Sequence, residues 1–360
     1  MMKIALITDT HFGARNDSLP FNEYFYKFWE EIFFPYIDKR GIDTIIHLGD
    51  TMDRRKFVSY KIANDFRTRF IKPIIDRDIN MHILIGNHDT YYKNTNDINS
   101  IEELLGGKEY GRSWAKNIEY YPEACVVEFD GTPIFFCPWI NAENYGDVMR
   151  KIASTDADIC MGHLEITGFE MHKGHYSEAG YPKEMFKKFD TVFSGHFHKK
   201  SDDGHIYYLG NTYQMTWSDD NCPKGFHIFD TVDKTLERIV NPFTIFEKIY
   251  YDDTATDYSK IDVSQYKDKF IKLVVVNKKD LYQFDRFTDR LLQEQTHEVK
   301  IVEDFSDLDA ENVSDDIAEN TQDTTTLLEK YIDELDVDLD KKRLKNTMKA
   351  LYLEACDLEL

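Results

Sequence analysis

Several features that would take a chain out of the ordinary globular class are missing here. No apolar run approaches the ~20 residues that a membrane-spanning helix needs. The opening Met-Met-Lys leads straight into Ile4-Ala5-Leu6-Ile7, without a signal-peptide cleavage pattern, so a first strand in a cytoplasmic protein is expected. Cysteine is scarce. The five present (Cys125, Cys137, Cys160, Cys222, Cys356) are odd in number and scattered, with no C-x-x-C pair, which argues against a disulfide framework or a structural zinc knot. There is no internal repeat. Positive charge is also short: 44 Lys and Arg face 66 Asp and Glu, a net of −22. Spread evenly, that charge would argue against a nucleic-acid partner. It is uneven, however, at −9 over residues 1–245 and −13 over the much shorter 246–360.

What is present is core material, 42% hydrophobic and 14% aromatic over 360 residues, enough for two or more domains. Over 1–245, strand-like runs alternate with amphipathic stretches, the pattern of a layered α/β domain. The runs are 3–9, 43–50, 81–87, 132–139, 158–163 and 190–196, with helices expected at 21–39 and 59–77. The later runs 206–209 and 225–230 read as closing antiparallel strands. Residues 246–302 form a smaller α+β unit of strand (246–251), strand (270–276), helix (281–295) and strand (298–302). Residues 303–323 carry nine acids and no Lys or Arg, as expected of an acidic flexible linker. The last segment, 324–360, reads as a helix-loop-helix with amphipathic stretches at 325–336 and 341–358.

The chemistry lies where the strand runs end. They finish in Asp9-Thr10-His11, in Gly49-Asp50-Thr51-Met52-Asp53, in Gly86-Asn87-His88-Asp89, in Gly162-His163 and in Gly195-His196-Phe197-His198. In α/β sheets, ligands gather at the carboxyl ends of strands, so these loops should converge. They offer carboxylates, imidazoles and one amide, a donor set suited to manganese, iron or zinc. One such piece is weak; five in order, each closing a strand, point to a metal centre.

In this order the motifs D-x-H, G-D-x-x-D, G-N-H-D, G-H and G-H-x-H resemble those of the calcineurin-like metallophosphoesterases. Within that family the chain looks like the nuclease subunits of SbcCD-type recombination-repair complexes, most of all those of T-even-like phages. The resemblance covers residues 1–200 well and the remainder in layout. It implies a four-layer α-β-β-α metallophosphoesterase sandwich, a capping DNA-binding domain (246–302) and a C-terminal helical pair that docks on an SMC-like ATPase. It implies one divalent ion on Asp9, His11, Asp50 and His198, and another on Asp50, Asn87, His163 and His196, with Asp50 bridging. Manganese is the expected ion, with magnesium, iron and zinc compatible. Two cations ~3.5–4 Å apart would clamp a phosphodiester and lower the pKa of the attacking water. His88 would then face the phosphate, oriented by Asp53; the alternative for Asp53 is an N-cap of the helix beginning near Ser59.

Arg54, Arg55, Lys56, Lys199 and Lys200 are candidate phosphate contacts, and Tyr91 and Tyr92 could stack on an unpaired DNA end. Each could equally be surface charge or packing. Asp89 and Glu165 are open. The family also implies a homodimer, with 21–39 and 59–77 as candidate dimer helices. Two rivals stand beside the DNA nuclease: a phosphatase of proteins or small phosphodiesters, which Asp53-Arg54 resembles, and a non-catalytic scaffold.

Overall fold

A computed structural model describes residues 2–106, 115–172 and 175–303, together with positions 332, 341, 342, 344, 345, 347 and 348. Almost all of the acidic linker and of the C-terminal helical pair expected from the sequence lies outside these residues. By its contacts the chain divides into two units, Met1–Met215 with Asn221–Ile245, and Thr216–Asp220 with Phe246–Leu360.

The first unit is built on two six-stranded sheets. Strands β1 (Lys3–Ile7), β2 (Thr44–His47), β3 (Asn80–Leu84) and β4 (Ile118–Tyr121) pair side by side in parallel. Next come β5 (Cys125–Phe129), β6 (Thr132–Cys137) and β7 (Ile159–His163), then a two-stranded ribbon of β8 (Glu170–His172) and β9 (His175–Tyr176). The unit closes with β10 (Thr191–Gly195), β11 (Ser201–Asp202), β12 (Ile206–Tyr208), β13 (Gly225–Asp230) and β14 (Leu236–Val240). The spatial orders are β14-β13-β1-β2-β3-β4 and β11-β12-β10-β7-β6-β5. Of the two expected closing strands, β13 does run antiparallel to β1, whereas β12 lies parallel to β10 and antiparallel only to the short β11.

Apolar side chains from both sheets meet in one buried layer, including Ile4, Leu6, Ile46, Phe136, Met161 and Phe193. Each such side chain contributes about 1.5–3 kcal/mol by leaving water. A second layer, with Val148 and Ile152 of the helix Tyr145–Ser154, covers the far side of the β7 sheet. Aromatic residues of the two early helical stretches pack together around Phe12, Trp29, Phe70 and Tyr213. The result is the expected mixed α/β sandwich.

Both early helices contain a π segment, Trp29–Phe33 between Leu19–Phe28 and Phe34–Arg40, and Phe66–Ile71 between Tyr60–Asp65 and Lys72–Asp76. Each π segment precedes a proline, Pro35 or Pro73, near the start of the following α segment. Proline lacks an N–H and crowds the carbonyl four residues back, so widening the preceding turn keeps the helix continuous. The Tyr60 helix is capped by Ser59, whose Oγ accepts the Ile62 N–H at 3.4 Å, so Asp53 is not its N-cap.

In the second unit β15 (Phe246–Asp252), β16 (Phe270–Asn277) and β17 (Glu298–Val302) form a parallel sheet. Helix Leu281–Gln293 lays Phe284, Phe287 and Leu291 on one face, against Tyr251, Ile271 and Leu273. On the other face Lys248, Lys272 and Lys300 fall in register, one per strand. Like charges directly opposite destabilise a sheet. Within the unit Lys272 lies 4.4 Å over the Trp217 ring, and Lys248 is 3.6 Å from Asp220.

Candidate metal centre

The strand runs read from the sequence extend too far at their carboxyl ends. β1 stops at Ile7, β2 at His47, β3 at Leu84 and β10 at Gly195, each just before its ligand residues. Asp9 (φ 51°), His11 (φ 42°), Asp50 (φ 56°) and His196 (φ 85°) take left-handed backbone conformations. Such conformations cost of order 1–3 kcal/mol each for a residue with a Cβ, and they concentrate where side chains must be aimed inward. Glycine supplies the room. A Cβ on Gly86 would lie 2.2 Å from Asp50 Oδ1, and one on Gly49 would lie 2.6 Å from His163 Nδ1.

The structure gathers all seven expected ligand residues, buried or nearly so. Donor atoms of Asp9, His11 and His198 lie within 4.8 Å of one another, as do those of Asp50, His163 and His196. Asn87 joins the second group, its Oδ1 being 3.0 Å from His163 Nε2 and 2.9 Å from His196 Nδ1. Asp50 lies between the groups, with Oδ2 3.2 Å from His163 Nε2 and 3.8 Å from His11 Nε2.

The donor set fits cations. His163 Nδ1 contacts the Leu48 carbonyl at 2.7 Å; a carbonyl only accepts, so that nitrogen carries the proton and Nε2 is left to bind. Nε2 then meets two acceptors, Asp50 Oδ2 and Asn87 Oδ1, a grouping that requires a proton or a cation among them. The Nε2 atoms of His11 and His198, 3.1 Å apart, impose the same requirement. Protons can serve when no metal is bound. Burial opposes charge on His11 and His163, yet the nearby carboxylates raise His11 to about 10 and His163 to about 9. Asp50 is opposed by burial too, but His163 and His88 hold it well below the usual carboxylate range. Divalent cations would displace these protons on binding.

His88 sits beside the ligands, its ring centroid 4.7 Å from that of His11. Its backbone N–H donates to Asp50 Oδ1 at 2.7 Å. The expected contact with the Asp53 carboxylate is replaced by one with its main chain: His88 Nδ1–H donates to the Asp53 carbonyl at 2.6 Å. The Asp53 carboxylate instead faces His11 Nδ1 at 3.5 Å. With Nδ1 committed and the ring's pKa lowered by burial, His88 presents Nε2 to the site.

Asp89, open in the sequence, is a fastening between loops. Oδ1 accepts the N–H groups of Thr51 (2.9 Å) and Met52 (3.1 Å), and Oδ2 accepts that of Gly86 (3.0 Å). It therefore ties the Asp50 loop to the Asn87 loop. Burial, and then the charge of Asp50, push its carboxyl up to about 6. Glu165 is half-buried, and burial raises its carboxyl as well. Sequence reasoning passed over His47, a buried imidazole behind the site. Its Nδ1 accepts the Gly49 N–H at 3.2 Å, and its Nε2 lies 2.9 Å from Thr10 Oγ1. Burial, then His163, push it down to about 3, so it stays neutral. Nothing in its local sequence distinguishes it from a core histidine.

The candidate substrate contacts divide. Arg54 pairs with Asp17 and lies 4.6 Å over the Phe57 ring. Lys199 pairs with Glu170 at 2.5 Å and Lys200 with Asp202 at 3.1 Å. Such partly exposed pairs are weak, and a phosphate could replace either acid. Arg55 differs, with Nε and Nη1 buried and lacking hydrogen-bond partners near Asp50 and Asp89. Lys56 is exposed. Tyr91 and Tyr92 are exposed too, with rings edge to face at 4.7 Å.

Comparison with known proteins agrees with this geometry. The chain is 32% identical over 324 residues, 89% of its own length and 90% of the relative's, to exonuclease subunit 1 of Enterobacteria phage T4. Two solved structures are remote likenesses. An archaeal phosphodiesterase is 16% identical, with 67% of this chain and all of that one covered and a TM-score of 0.34. The GAP50 anchor of the Plasmodium inner membrane complex is 12% identical, covers 68% and 90%, and has a TM-score of 0.40. Residues 2–200 match the calcineurin-like phosphoesterase family, and with its ligand loops converging as described the chain belongs to that family.

Proposed function

We propose that the chain is a metal-dependent DNA nuclease. The observation that carries this reading is the convergence of seven ligand residues into two groups that share Asp50. Asp9, His11, Asp50 and His198 hold one divalent ion and Asp50, Asn87, His163 and His196 the other, with manganese the preferred occupant. Bound there, two cations would polarise the phosphodiester, activate the attacking water and stabilise the leaving oxygen. The protein's own groups do the rest. Asp53 fixes the His88 tautomer. An anionic phosphate beside His88 would raise its depressed pKa, so that Nε2 can hold a proton against the leaving oxygen and deliver it. Arg55, with two nitrogens to satisfy, is the foremost candidate for a non-bridging phosphate oxygen. Arg54, Lys56, Lys199 and Lys200 would guide the strand, and Tyr91 and Tyr92 would stack on unpaired bases.

The name of the T4 relative, an exonuclease subunit, and its similarity along most of the chain support a nucleic-acid substrate, which we take to be DNA. That relative is called a subunit, and a second polypeptide is proposed here too: an SMC-like ATPase docked on residues 325–358. Residues 246–302 act as the cap. A homodimer through the helices around 21–39 and 59–77, work in DNA recombination and repair, and a place in the host cytoplasm if phage-encoded complete the reading. No helix among the described residues is long and apolar enough to cross a membrane.

Labelled linear duplex DNA, incubated with manganese or with chelator, tests the central claim. Wild type should degrade it only with metal, and His196→Ala should not degrade it at all. Brisk hydrolysis of an aryl phosphate with intact DNA, even when the ATPase is supplied, would favour a phosphatase. The partner claim has its own test. Removing residues 325–360 should abolish ATPase binding and spare metal-dependent cleavage of a small phosphodiester; unchanged ATPase affinity would refute it.

A further inference from the structure

Just past β6 the chain places Trp139 against the second group of ligands. Its ring centroid is 5.2 Å from that of His196 and 6.1 Å from that of His163, and the two imidazoles are themselves 5.3 Å apart. Trp139 remains partly exposed and is not among the side chains of the two apolar layers described above.

The main chain at this residue is held with unusual thoroughness. Its N–H donates to the Ile85 carbonyl at 2.8 Å, two residues before Asn87, which couples the indole to the strand end that delivers a ligand. Its carbonyl accepts two side-chain amides, Asn96 Nδ2 at 3.0 Å and Asn144 Nδ2 at 2.9 Å. Asn96 is braced in turn by Asn141 Nδ2 on its Oδ1 at 3.0 Å. Asn144 Oδ1 accepts the Asn141 N–H at 2.8 Å. Asn96 and Asn141 are buried, and a buried amide is costly unless satisfied. Two of these three asparagines meet on one carbonyl and the third braces both, so the clamp determines where the indole stands.

We propose that Trp139, clamped by Asn96, Asn141 and Asn144, is a positioning residue for the cation held by Asp50, Asn87, His163 and His196. The indole limits the tilt of both imidazoles and keeps bulk water from that end of the centre. Its ring contacts are with His163 and His196, so its effect should fall on the ion that those imidazoles would hold. The inference rests on the two-metal reading of the site. Groups that orient metal-binding histidines change metal affinity by roughly 10–100-fold when removed.

Manganese binding to the full chain, measured by calorimetry and by the spin resonance of free Mn²⁺, tests this. Wild type should take up two ions. Trp139→Ala should keep one at wild-type affinity and bind the other roughly 10–100-fold more weakly. Trp139→Phe, which retains a ring, should recover most of that loss. Asn144→Ala, which retains the indole but loosens the clamp on its carbonyl, should weaken the same ion by a smaller factor. Manganese should also quench tryptophan emission in wild type, and much less in Trp139→Phe although both ions still bind. Two ions at unchanged affinity in Trp139→Ala, or equal loss of both, would overturn the proposal and leave the two-metal reading intact. A wild-type protein that binds no manganese would overturn both.

Discussion

Asp50→Ala should bind neither cation and should cleave DNA at least ~10³-fold more slowly, a loss of about 4 kcal/mol in transition-state stabilisation. Among the described residues no other stands between the two donor groups in this way. One carboxylate oxygen takes the His88 N–H at 2.7 Å while the other lies toward both His163 and His11. Alanine would leave those imidazoles without the charge that offsets their burial and would free the backbone at His88. Calorimetric titration with manganese beside a DNA-cleavage assay measures both effects. Retention of one tightly bound ion would show that Asp50 serves a single site.

His88→Ala should separate binding from turnover. Both ions should remain, with affinities within a few-fold of wild type, while turnover falls about 10²–10⁴-fold, the range for a lost general acid or base. The structure makes this a real contest, because His88 donor atoms also cluster with those of His11 and Asp50. As a ligand, His88 would take an ion with it when removed. The hydrogen bond from Nδ1 to Asp53 favours the other role, since it fixes one tautomer and turns the second nitrogen toward the site. Metal stoichiometry in the variant decides between them.

The family and the convergence of the ligand loops were legible in the sequence because the ligands carry short, ordered motifs. Four features were not legible, each for a physical reason. Strand ends were overrun because Asp9, His11 and Asp50 follow apolar runs without a break, and left-handed backbone at an aspartate or histidine leaves no mark in composition. Asp89 could be read only as an acid beside a motif, since its partners are main-chain amides of residues 51, 52 and 86, which every sequence possesses. Asp53 meets His88 through its main-chain carbonyl and not its carboxylate, which no motif could indicate because a motif records side chains. The π segments were hidden by good helical periodicity on both sides of Pro35 and Pro73.

The order of strands across the first sheet also bears on when the enzyme comes into being during synthesis. β1, which leads into Asp9 and His11, lies between β2 and β13, and β13 spans Gly225–Asp230. Its central position is incomplete until more than two hundred further residues have been made. At ~5–20 residues per second that is roughly ten to fifty seconds on the ribosome. His196 and His198 arrive late in the same interval. A chain interrupted before then lacks two of the seven candidate metal ligands and the strand that flanks β1. On the nuclease reading proposed above, cleavage activity would emerge only with a finished first unit.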